Sequence, residues 1–91
     1  MPEKLHLLFY DYVEDIAAKR GPHRPDHLAH IDKWKATGRL VMAGAVGDPP
    51  HGGVFVFRVE DPADIETSAD ADPYVAAHLV TGRRIEPWTV V

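Results

Sequence analysis

The sequence contains no cysteine, which excludes disulfides, thiolate metal sites and cysteine nucleophiles. It also lacks any surplus of positive charge. Ten Lys and Arg stand against fourteen Asp and Glu, for a formal net charge of -4. Such a chain has no electrostatic footprint for nucleic acid or anionic lipid. No apolar run approaches the ~20 residues of a membrane-spanning helix. Met1-Pro2-Glu3-Lys4 leads into strand-like sequence without the basic, apolar and cleavage regions of an export signal, so a cytoplasmic location is expected. Internal repeats, low-complexity tracts and linkers are missing as well, and 91 residues leave room for one domain, 1–91.

What is present is an ordinary globular mixture, 45% hydrophobic and 26% charged. Lys4 to Tyr12 is a predicted strand with apolar residues on both alternating sets: Leu5, Leu7 and Phe9 on one, Leu8 and Tyr10 with His6 on the other. A turn of helix fits Val13 to Lys19, broken by Gly21-Pro22. Pro25 suits the first turn of a longer helix, on which Leu28, Ile31 and Trp34 recur at three-residue steps until Gly38 ends it. Leu40 to Ala43 reads as a second strand, and Val54 to Phe57 as a third that is covered on both faces. Asp61-Pro62 opens a weak helix to about Ala71, with Asp61, Asp64, Glu66 and Asp70 as a solvated face. Asp72-Pro73-Tyr74 punctuates the chain, a helical turn fits Val75 to Leu79, and Arg83 to Val91 forms a last strand in which Pro87 argues for an edge position or a bulge.

The order β-α-β-β-α-β predicts a ferredoxin-like α+β sandwich, a four-stranded antiparallel sheet with both helices on one face. The other face stays rich in Leu, Val, Phe and Trp, which predicts a homodimer closed sheet against sheet.

Six histidines require sorting. His27 falls on the first turn of the long helix, where the positive helix end favours a neutral imidazole. A carboxylate opposite it would orient the ring and stabilise its charged form after proton transfer. Asp72, at a chain reversal, is the best candidate. On residue type alone, the plainer assignment is a surface histidine at a helix start and a turn or cap aspartate. His23, His27 and His30 have the spacing of metal ligands, but Pro25 sets His23 before the regular helix and nothing completes the set, so no metal is expected. His51 and His78 read as structural or solvated, and Gly52-Gly53 lacks the lysine and helix of a phosphate loop.

Taken together, the segments LHLLFYDY, RPDHLAHIDKWKATGRLVMAG, GGVFVFRVE, DADPYVAAHL and RIEPW resemble the YciI-like (YCII-related) family of small dimeric α+β proteins. The resemblance implies a dimeric α/β barrel with a histidine–aspartate site, here His27 and Asp72, with Arg24 and Tyr74 at the matching motif positions. It further implies a cofactor-independent enzyme doing acid–base chemistry, isomerisation or elimination, on a small cyclic or phenolic compound. Some relatives act on such compounds, among them a dechlorinating enzyme of chlorinated hydroquinone breakdown. Two positions depart from the family pattern: Ala45 stands where A-G-P is common, and His78 where a glycine is common. His78 is therefore expected either to line the pocket as a second polar group or to block it in part, and the apolar lining would include Phe9, Met42, Phe55 and Trp88. The rival expectations are a small-molecule-binding dimer without catalysis, and an interaction module whose sheet face binds another protein.

Overall fold

Residues 4–91 are described by the computed structural model. The strand β1 (Lys4–Tyr12) leads to a single helical turn, α1 (Ile16–Lys19), and through a tight turn at Gly21–His23 into α2 (Arg24–Ala36). Strands β2 (Leu40–Val46) and β3 (Gly52–Phe57) follow, then α3 (Ala63–Asp70), the short α4 (Pro73–Ala76) and β4 (Val80–Thr89). The sheet has the order β2-β3-β1-β4 with every neighbouring pair antiparallel. This is the ferredoxin-like α+β arrangement. Pro87 sits on β4, an edge strand, where its missing N–H costs no central ladder bond.

Strand register decides which residues share a face. Leu8 lies opposite both Phe55 and Ile85, so these point to one side. That side carries the core: Leu8, Tyr10, Phe55 and Phe57 bury against Ile65 and Ala69 of α3, with Ile31 and Trp34 of α2 packed on them. Gly38 ends α2 with a φ of +79°, a conformation in which glycine carries no Cβ penalty. At Gly52 a Cβ would sit 2.6 Å from the Tyr10 carbonyl oxygen, so glycine is what allows β1 and β3 to pair this closely.

The face of α2 differs from the expected one. The inward residues are His27, Ile31 and Trp34, whereas Leu28 is 41% exposed. Steps of four and three keep to one side of a 3.6-residue helix; two steps of three drift around it. Asp61, Glu66 and Asp70 of the acidic run are exposed, as expected, and also make local contacts. Asp61 accepts a hydrogen bond from the Ala63 N–H at 2.9 Å and caps α3, while Glu66 and Asp70 accept from the Arg83 guanidinium at 2.8 and 2.7 Å. These contacts tie α3 to β4.

On the opposite side of the sheet, Leu7 pairs with Val56, Phe9 with Val54 and Leu5 with Trp88. Among the described residues no helix covers this face; Ile31, Trp34, Ile65 and Ala69 of the helices pack on the other one. Met42 and Trp88 are 59% and 43% exposed on it, and the Arg84 guanidinium lies 4.1 Å from the Phe9 ring centre. Among the described residues no helix is long and apolar enough to cross a membrane.

Candidate active site

The aspartate of D-P-Y is held by its own turn. Asp72 adopts an extended conformation before α4, Pro73 occupies the first helical position, and Oδ1 of Asp72 accepts the Tyr74 N–H at 2.9 Å. This is an N-cap, which fixes the carboxylate before any tertiary contact is considered. Asp72 is only 1% exposed. A buried carboxylate needs donors, and two more arrive from distant parts of the chain. The His27 ring approaches through Nδ1 at 2.7 Å from Oδ1, and the Tyr10 hydroxyl donates to Oδ2 at 3.0 Å.

His27 is brought there by the first turn of α2. Its ring stacks on Tyr74 at 3.6 Å and 3°, and meets Phe55 edge-on at 6.4 Å. With a carboxylate against it, Nδ1 is the nitrogen that donates, which leaves Nε2 as the other ring nitrogen for a further partner. The ring makes no second hydrogen bond among the described residues. It lines a cavity of about 390 Å3, inside the range of roughly 300–1,000 Å3 usual for small-molecule sites.

Tyr10 and Tyr12 both face this region, with ring centres 6.1 Å apart. Burial pushes both phenols well above their ordinary range, and the negative charge of Asp72 adds to the effect on each. Both therefore stay protonated, and Tyr10 stays a donor. The Tyr74 hydroxyl is buried without a hydrogen-bond partner among the described residues.

His27 and Asp72 are thus in contact, and Arg24 and Tyr74 lie on the wall of the same cavity. His78 is not on that wall. It follows α4 with a φ of +60°, its backbone N–H donates to the Val75 carbonyl, and its side chain is exposed. Of the expected apolar lining only Phe55 contributes; Phe9, Met42 and Trp88 belong to the other face of the sheet, because they pair with Val54, Val56 and Leu5. Ala45, where the chain departs from the A-G-P pattern, does border the cavity. Sequence reasoning missed Tyr10, Tyr12 and Arg20. Only the grouping of Tyr10 with His6 and Leu8 on one strand face hinted at the first. No three His, Asp or Glu side chains among the described residues are grouped to share a metal ion; His30 instead places Nε2 at 2.9 Å from the Ser68 carbonyl oxygen.

Residues 5–89 match the YCII-related domain. Protein YciI of Escherichia coli O6:H1 and that of Shigella flexneri are each 32% identical over 97 residues, spanning 93% of this chain and 99% of theirs. Among solved structures, 5-chloro-2-hydroxyhydroquinone dehydrochlorinase from Burkholderia phenoliruptrix, in complex with 2,5-dihydroxybenzoquinone, is similar at a TM-score of 0.78 and 19% identity over 93% of both chains. An antibiotic biosynthesis monooxygenase is similar at a TM-score of 0.57 and 9% identity, over 97% of this chain and 98% of its own. At these identities the likeness to the solved structures is one of fold.

Proposed function

This chain belongs to the YCII-related family, and from that premise we propose that it is a small-molecule enzyme working by general acid–base catalysis. The observation that carries the proposal is the buried 2.7 Å contact between His27 Nδ1 and Asp72, on a ring that borders the cavity. In this reading Nε2 of His27 takes a proton from the substrate and later returns it. Asp72 holds the tautomer and stabilises the imidazolium, and Tyr10 positions Asp72 through its second oxygen. Arg24 faces a developing anionic oxygen, and Tyr74 supports the imidazole from below.

The substrate is a small cyclic or phenolic compound, and the reaction an isomerisation or an elimination. Either balances without a redox partner or cofactor: in an elimination the proton goes to Nε2, its bonding pair moves into the ring system, and chloride leaves with the C–Cl pair, for a net loss of HCl. The fold-similar dehydrochlorinase makes a chlorinated hydroxyhydroquinone the first compound to try. We further propose that a second copy covers the open sheet face, closing a dimeric barrel; light scattering should then give twice the mass of the 10.1 kDa chain.

The test is turnover across a panel of halogenated and unsaturated cyclic hydroxy compounds, followed by chloride release or absorbance. His27→Ala should cut kcat by about 100- to 10,000-fold while the protein stays folded and dimeric. Undiminished turnover in that variant would overturn the mechanism. Binding across the panel without turnover would replace it with a ligand-carrying role.

A further inference from the structure

Six arginines occur in this sequence, and they divide sharply by what they do. Arg83 is held by Glu66 and Asp70, Arg84 by Glu86 and the Phe9 ring, and Arg39 lies 4.5 Å from the Trp34 ring centre. Arg58 has a partner too. The two left over are Arg20 and Arg24, and among the described residues neither guanidinium meets a carboxylate. Both line the cavity beside His27, and both lie near enough to Tyr12 to act on its phenol. Lys35 borders the same space, with Asp32 the one acidic residue on its wall. In a chain of net charge -4, uncommitted cations have been gathered at one place.

From this we infer that the cavity selects an anionic ligand, a planar ring compound bearing an ionised oxygen acid, with Arg20 and Arg24 as the residues that set this preference. The inference rests on the proposed function and narrows its substrate class. The ring requirement comes from the apolar part of the lining, to which Phe55 and Tyr74 contribute aromatic and Leu28 and Ile31 aliphatic side chains. The charge requirement comes from the guanidinium pair, which matches a carboxylate or an acidic enol by paired N–H donors. An anion held there lies on the same cavity as the His27 ring, so a ring proton or hydroxyl proton comes within reach of the base. Neutral analogues of the same shape would leave half-buried Arg20 and exposed Arg24 without a counter-charge from the ligand.

The experiment compares 2,5-dihydroxybenzoquinone, whose hydroxyls are ionised at neutral pH, with its neutral 2,5-dimethoxy ether, by titration calorimetry on the full chain. The anion should bind at least about tenfold more tightly than the ether, and added salt should narrow the gap. Arg20→Gln and Arg24→Gln should each weaken the anion and leave the ether unchanged. Equal affinities, failure of both probes to bind, or indifference to both arginine substitutions would overturn the inference. Its failure is separable from that of the acid–base reading: His27→Ala should retain selective binding of the anion while losing turnover. Selectivity without any dependence of turnover on His27 would leave the anion site standing and remove the catalytic pair.

Discussion

His27 and Arg83 each approach an aspartate oxygen to 2.7 Å, yet the two contacts have little in common beyond that distance. The side chains of His27 and Asp72 are 6% and 1% exposed; those of Arg83 and Asp70 are 27% and 69% exposed. At Asp70 water competes for every lone pair, so the ion pair is worth at most about 1 kcal/mol. At Asp72 water is gone, and each of the three donors replaces one that the solvent would have supplied. Equal distances therefore mark two different devices. One is a surface tie between α3 and β4; the other is a fixed, dry carboxylate whose removal leaves its donors stranded.

Substitution can break that contrast at its strong end first. Asp72→Ala should lower unfolding free energy in urea by about 3–5 kcal/mol, through loss of the cap on α4 and of the partners of His27 and Tyr10. A change below about 1 kcal/mol would make Asp72 no different from Asp70. Tyr10→Phe should cost about 1–3 kcal/mol, since Oδ2 of Asp72 then has no donor. It should also change the alkaline limb. Burial holds the phenols of Tyr10 and Tyr12 above their ordinary 10.0 in the folded state, so above pH 10 the unfolded chain binds fewer protons. Stability is fully present below that pH and falls above it, by about 1.4 kcal/mol per pH unit for each tyrosine. Denaturation curves on both sides of pH 10 should show the combined slope of the two tyrosines roughly halved in Tyr10→Phe, leaving the contribution of Tyr12. The weak end comes last: Asp70→Ala should change stability by about 0–1 kcal/mol, less at high salt.

Much of this arrangement is legible in the sequence where chemistry is local. The Pro25 helix start, the Gly38 stop, the Asp61 cap and the Asp72-Pro73 turn are all set by residues within a few positions of each other, and the structure has each of them. The order of strands followed from the same signals. What was not legible depends on register and on distant pairs. Phe9 and Phe55 look alike in sequence, but Phe9 pairs with Val54, and that single-residue offset sends the two rings to opposite sides of the sheet. Tyr10 meets Asp72 across 62 positions, a separation that no periodicity encodes. Leu28 and His27 exchange places for a related reason, since a polar residue on the inward face of α2 makes sense only once its carboxylate partner is known. His78, where the family pattern has a glycine, takes a left-handed conformation that glycine adopts without penalty, and this turn leaves its side chain exposed and off the cavity wall.

The parallel stack of Tyr74 on His27, 3.6 Å apart and within 3° of coplanar, has a magnetic consequence. The carbon-bound protons of the imidazole lie over the shielding cone of a phenol ring that is itself packed against reorientation. Their resonances should stand upfield of those of the other five histidines and be assignable by Tyr74→Leu alone. Titrating that one shifted signal would then follow the protonation of His27 in the resting protein, before any substrate is known.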